Sequence, residues 1–258
     1  SLALALAKQG ARLVLASRRL DVQQAVADEC IALGAQAIAV RCDVAVAHEC
    51  QQLIEAAQHA FGGIDVLVNN AGISMHAWFE DITDTAVYER LFHINVMGAI
   101  HCTHAALPVL KRSKGLIVGI SSLAGKIGVP ARTTYCMTKF AMNGFFEALR
   151  IELQDDGVDV CMVQPGVVAT EIRRNGWNAA GERAGSAGLS EENAMTLETC
   201  TAQILQAMSV RQRELVMTRQ AKIGLWIKPF FPQYLDNMAR KALSKVGQRK
   251  VGQRKSKA

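Results

Sequence analysis

SSLAGKIGVPARTTYCMTKF, residues 121–140, decides how the rest of the chain is read. The apolar run KGLIVGI before it (114–120) has the look of a buried strand, and the serines stand where that strand ends. Tyr135 opens a segment of helical length that runs to 154, and Lys139 follows it by four positions. On a helix those two side chains share a face. Ser122, thirteen positions before Tyr135, would present its hydroxyl at the carboxyl edge of the strand. A hydroxyl, a phenol and an ammonium brought to one point make a proton-transfer site. A free phenol titrates near about 10 and is a poor base at neutrality, but a nearby cation favours its ionised form. Successive strand residues point to opposite faces, so Ser121 and Ser122 cannot swap roles freely; for Ser121 a turn bond to its own backbone is the plainer role.

Working outward, six apolar runs read as strands: 12–17, 36–44, 65–72, 114–122, 157–166 and 213–218. They are nearly continuous in Val, Ile, Leu and Ala, which suits strands covered on both faces. Helical stretches at 21–33, 46–61, 84–111 and 135–154 alternate with them. Such alternation predicts an α/β fold, a Rossmann-like doubly wound parallel sheet flanked by helices, with ligands at the carboxyl ends of the strands. The 258-residue length fits one domain. We place that domain at 1–225 and a C-terminal aromatic and basic segment at 226–258. The opening SLALALA runs into the first strand and reads as a helix, not a signal peptide.

Composition removes several classes of function. The seven cysteines (30, 42, 50, 102, 136, 161, 200) are scattered and never spaced C-x-x-C, which argues against zinc ligation and a disulfide framework. Reduced thiols fit a cytoplasmic location. Net charge is +6, yet eight of the 29 basic residues fall in 240–258, leaving 21 against 23 acids before residue 240. The basicity belongs to the tail, in which VGQRK occurs twice, so the body lacks the basic face that nucleic acid requires. The tail's composition predicts disorder.

Four motifs in order carry a resemblance: NNAG at 69–72, N-x-x-G at 95–98, S-x(12)-Y-x-x-x-K at 122–139 and PG at 165–166. Over roughly residues 1–170 the chain resembles the short-chain dehydrogenase/reductase family. The resemblance implies a catalytic set of Asn95, Ser122, Tyr135 and Lys139. In it Tyr135 exchanges a proton with the substrate oxygen, and Lys139 also bonds the nicotinamide ribose. The family's asparagine, here Asn95, helps hold a water linking the lysine to solvent; a buried, satisfied amide is the alternative at this position. The resemblance further places Asp43 at the adenine, counts Val44 among the cofactor-binding residues, and puts Asn69, Ala71 and Gly72 in a turn where backbone nears the cofactor. Pro165, Gly166 and Val168 would flank the carboxamide, and Thr170 would reach the diphosphate.

In NAD-preferring sheets of this kind an acidic residue ends the second strand and accepts the ribose 2′-hydroxyl. The stretch LASRRLD (15–21) instead places Ser17, Arg18 and Arg19 there. A guanidinium can hold a 2′-phosphate bidentately, so the expected cofactor is NADP(H). No G-x-x-x-G-x-G occurs, and the chain begins inside the first helix. The expectation is that upstream residues carry the first strand and glycine-rich turn, and that this chain alone binds dinucleotide poorly.

The Gly- and Ala-rich residues 171–196 stand where the family keeps a substrate lid; Trp177 and Met195 either line an apolar pocket or pack onto the body. WIKPFFPQY (226–234) fits a pocket wall or dimer contact, which we take first, and also a peripheral membrane contact strengthened by the basic tail. The expected protein is an NADP(H)-dependent oxidoreductase interconverting an alcohol with a ketone or aldehyde, most simply an apolar one, as a homodimer or homotetramer paired through helices 84–111 and 135–154. The rival from another class is a non-catalytic binding or scaffold protein with impaired cofactor binding. Sugar-nucleotide epimerisation shares Y-x-x-x-K but needs a larger C-terminal domain than follows Pro165.

Overall fold

The structure, a computed structural model, describes residues 1–170, 172, 175–185 and 194–241. Six strands form in the expected places: β1 Arg12–Ser17, β2 Gln36–Arg41, β3 Val66–Asn69, β4 Leu116–Ile120, β5 Asp159–Gln164 and β6 Glu214–Val216. Eight helices accompany them: α1 Leu2–Ala7, α2 Leu20–Ala32, α3 Ala47–Phe61, α4 Ala86–Phe92, α5 Gly98–Ser113, α6 Thr133–Glu152, α7 Leu197–Ser209 and α8 Arg219–Ile227. A further helical stretch covers 232–241. The boundary placed at 225/226 falls inside α8.

β4 and β5 show why the sheet needs two helical layers. Ile117, Val160 and Met162 face α5 and α6, where they meet Ala106, Leu110, Met142 and Phe146. The alternate residues Leu116, Val118, Cys161 and Val163 face α7 and meet Cys200, Ile204 and Ala207. This two-residue alternation, apolar on both sides, is the signature of a doubly wound sheet. Phe146, Ile117 and Val118 are fully buried, and each such side chain contributes about 1.5–3 kcal/mol.

All strand pairs are parallel, but the sheet is divided. β1 pairs with β2 (Arg12 opposite Gln36), and β3, β4, β5 and β6 form a separate sheet in that order. Among the described residues β1 and β3 therefore each keep one unpaired edge. Helices hold the two parts together. Val14 and Ala16 of β1 and Leu67 of β3 pack on one cluster of Cys42, Cys50, Leu53 and Cys102. On the other side Leu2 of α1 touches the β4–β5 core while Ala3, Leu4 and Leu6 touch Leu13 and Cys30.

The helix expected over 84–111 is interrupted. Between α4 and α5 the residues His93–Met97 make a wide π turn that carries Asn95. Gly98 follows because the chain must pass close to the loop after β2: a Cβ there would lie 2.6 Å from Val44 Cγ2. All seven cysteines are free and buried. Of the proposed lid, residues 171, 173–174 and 186–193 lie outside the described residues, as does the tail from 242.

Candidate active site

β4 ends at Ile120, and the chain turns through a short 3-10 segment, Leu123–Gly125. Ser122 begins that turn, its Oγ accepting from the Ala124 N–H at 3.1 Å. The turn is fastened at both ends: Leu123 N–H donates to the Pro165 carbonyl (2.9 Å), and Asn143 Nδ2 donates to the Gly125 carbonyl (2.8 Å). Ser121 goes the other way, burying its hydroxyl against the Lys139 carbonyl of α6 at 3.3 Å. Pro165 and Gly166 thus lie beside the serine turn, with Gly166 facing Leu123.

Tyr135 and Lys139 occupy one face of α6, as their spacing predicts, and both are buried. Tyr135 joins an apolar cluster with Met75, Val87, Leu91 and Ala124. Lys139 Nζ stands 5.8 Å from the centre of the Tyr135 ring, donates to the Ile120 carbonyl at 2.8 Å and touches Met142 Sδ at 3.4 Å. Burial disfavours its charged form and pushes its pKa down to about 8.

Asn95 is wholly buried. Its Oδ1 accepts from Ile73 N–H (2.7 Å), while its Nδ2 donates to the Ile73 carbonyl (2.9 Å) and to Thr138 Oγ1 (3.0 Å). The amide therefore clamps the loop after β3 to α6, which explains an asparagine inside a helical segment. Gly72 closes the group: a Cβ there would meet Asn95 Oδ1 at 3.2 Å and Lys139 Nζ at 3.7 Å. Gly72, Asn95, Lys139 and Tyr135 converge.

The residues expected to hold a dinucleotide fit that group in part. Ala71 is exposed, and Gly72, lacking a Cβ, lets Asn95 Oδ1 and Lys139 Nζ come close to the main chain. Arg18 and Arg19 are exposed where β1 passes into α2, and Ser17 Oγ bonds Arg19 N–H at 3.1 Å. Asp43 Oδ1 accepts from Ala45 N–H (3.1 Å), and Asp43 N–H donates to Glu49 Oε2 (2.7 Å), which with Arg41 holds the Glu49 carboxyl below its usual range. Val44 is half-buried against Gly98. Asn69 turns inward, its Nδ2 bonding Thr103 Oγ1 at 3.0 Å, so its side chain supports the fold. Val168 bridges to Met195, and Thr170 N–H bonds the Val168 carbonyl at 2.9 Å.

Trp177 packs onto the body. It exchanges backbone bonds with Ser74 and His76, joins the Tyr135 cluster, and lies under the Arg90 guanidinium at 5.3 Å. Met195 packs against the β4–β5 core. The sequence reading missed Arg132, buried three residues before Tyr135 and donating to Ser74 Oγ at 3.1 Å. It also missed Asn143 and Gln164, which are joined at 2.9 Å behind the serine turn. Asn143 stood one turn beyond Lys139 on the same face, a signal that was present but unread. Gln164 gave none.

Comparison with known proteins bears on the family and the fold. Residues 1–180 match the profile of the short chain dehydrogenases. The chain belongs to the short-chain dehydrogenase/reductase family. Among curated relatives it is 42% identical over 163 residues, covering 63% of this chain and 54% of the relative, to 11-beta-hydroxysteroid dehydrogenase-like 4A of Arabidopsis thaliana. It is 32% identical over 242 residues, 92% of this chain and 69% of the relative, to 11-beta-hydroxysteroid dehydrogenase A of Sesamum indicum. The chain spans about half the length of the first of these. A solved metagenomic short-chain oxidoreductase in complex with NADP is 31% identical, with a TM-score of 0.61 over 65% of this chain and 77% of that one. An alcohol dehydrogenase from the archaeon Thermococcus sibiricus, complexed with 5-hydroxy-NADP, shares the fold at a TM-score of 0.71 and 22% identity, covering 83% of this chain and 88% of that one.

Proposed function

We propose that the protein is an NADP(H)-dependent oxidoreductase that interconverts an apolar alcohol and its carbonyl, with Tyr135 as acid and base. The observation that carries this reading is the buried ammonium of Lys139 set 5.8 Å from the Tyr135 ring and beside the bare backbone of Gly72. A bound nicotinamide would supply or accept the hydride. The chain's own residues then handle the proton and the charge. Tyr135 gives a proton to the substrate oxygen in reduction and takes it in oxidation, as general acid–base catalysis requires. Lys139, charged below about pH 8, favours the ionised phenol electrostatically. Ser122 donates to the same substrate oxygen and steadies its developing charge. Asn95 keeps the β3 loop and α6 in register through Ile73 and Thr138.

Arg18 and Arg19 support the phosphorylated cofactor, since no carboxylate stands in LASRR to take a free ribose 2′-hydroxyl. The relatives named as hydroxysteroid dehydrogenases support a secondary alcohol on an apolar skeleton. Pairing through α6 is supported by the exposed Met137, Phe140 and Ile151 on that helix. The test is a titration of the full-length protein with NADPH and NADH, repeated with Arg18→Ala/Arg19→Ala. We expect tighter NADPH binding that the double variant loses; equal binding, or a preference for NADH, would remove the role of the arginines.

A further inference from the structure

The C-terminal aromatics are not a pocket wall. Trp226 is 74% exposed, Phe230 69%, Phe231 65% and Tyr234 58%, and Ile223 and Met238 also face water. Ile223, Trp226 and Phe230 follow helical spacing, and the rings of Trp226 and Phe230 stand 6.1 Å apart. Thr218 caps α8 by accepting from Ala221 N–H at 3.2 Å, and Leu235 of the following helical stretch rests 3.6 Å from where Gly224 would carry a Cβ. The two segments therefore hold one apolar surface in water, a kind of patch that marks an interaction site.

Its charge surroundings identify the partner. Residues 219–241 carry five basic residues (Arg219, Lys222, Lys228, Arg240 and Lys241) against a single acid, Asp236, whereas 1–218 contain 18 basic residues against 22 acids. From this geometry and charge we infer that α8 and the helical stretch 232–241 dock on an anionic lipid surface, with the aromatics entering the interface and the basic residues meeting the headgroups. Association of two copies through this patch would bring two strongly positive segments together, which opposes it. No helix among the described residues is long and apolar enough to cross a membrane. Lys228 ties the patch to the active site: its Nζ donates to the Lys126 carbonyl, just past the serine turn, and sits 5.5 Å from the Phe140 ring of α6. Docking would thus hold the catalytic cleft at a fixed attitude to the bilayer.

The experiment is flotation of the full chain with vesicles of phosphatidylcholine alone and of phosphatidylcholine mixed with phosphatidylserine, while following tryptophan emission. We expect binding to the acidic vesicles only, weakened by salt, with a blue shift in emission. The variant Trp226→Ala/Phe230→Ala/Phe231→Ala/Tyr234→Ala should lose it. A milder variant, Lys222→Gln/Arg240→Gln/Lys241→Gln, should weaken it by roughly a hundredfold at about fivefold per charge removed. No flotation with acidic vesicles would overturn the inference. So would binding that survives loss of the four aromatics, or a dimer in sedimentation that dissociates on their loss while vesicles bind neither form.

Discussion

Replacing Lys139 by methionine separates what the buried ammonium does for the chemistry from what it costs the fold. Burial brings its pKa from 10.5 to about 8, which at about 1.36 kcal/mol per pH unit corresponds to roughly 3 kcal/mol. Methionine fills similar space without charge, but it leaves the Ile120 carbonyl without the donor now 2.8 Å away, a loss of about 1 kcal/mol. The variant should therefore be about 2 kcal/mol more stable at pH 7, or about 4–8 °C higher in Tm for a chain of this size. The size of this gain depends on pH in a defined window. Below the folded pKa of about 8 the lysine is charged in both states, and the whole penalty is felt. As pH rises from about 8 toward 10.5 the folded state gives up its proton first, so the native chain gains stability and the gap closes. Urea unfolding of both proteins without cofactor, at pH 7 and pH 10, measures this, and turnover measured in parallel should fall in the variant. A variant less stable at pH 7, or a stability difference that does not shrink with pH, would refute the reasoning.

Other substitutions probe the remaining parts of the site. Ser122→Ala removes both the proposed substrate donor and the acceptor for Ala124 N–H; kcat should fall about a hundredfold and stability by about 1 kcal/mol, read by turnover and urea unfolding. Asn143→Leu strips the Gly125 carbonyl of its side-chain donor and Gln164 Nε2 of one of its two acceptors, the other being Glu214, so stability should fall by about 1–3 kcal/mol. Its kcat should fall while NADPH affinity stays unchanged; an unchanged kcat would reduce Asn143 to a packing role. Gly98→Ala forces a Cβ to within 2.6 Å of Val44 Cγ2, so the variant should lose about 1–3 kcal/mol and bind NADPH more weakly through the displaced Asp43–Val44 loop.

Strands and helices were legible because β4 and β5 are unbroken apolar runs, and the β1 bounds at 12–17 coincide with the expected run. Tyr135 and Lys139 were legible for the same local reason, since four residues make one turn. What stayed hidden depends on contacts between distant segments. The π turn at His93–Met97 follows from Asn95 reaching Ile73 and Thr138, the latter 43 residues along the chain, which no local pattern encodes. The aromatic stretch near 226–234 was visible as composition, but the same residues suit a buried wall or an exposed patch, and only their exposure separates the two. Arg132 looked like an ordinary charge ahead of a helix, yet it is buried against Ser74.

Turnover of an apolar secondary alcohol with NADP by the full-length Tyr135→Phe protein bears most directly on the account. The phenylalanine keeps the ring and its neighbours in the Met75–Leu91 cluster and removes only the hydroxyl. The rate should drop by about 10²–10⁴-fold while the dissociation constant for NADPH stays within about twofold, because the proposed role of the hydroxyl is proton transfer and not anchoring of the dinucleotide. A variant that turns over at near the native rate would show that the proton moves elsewhere.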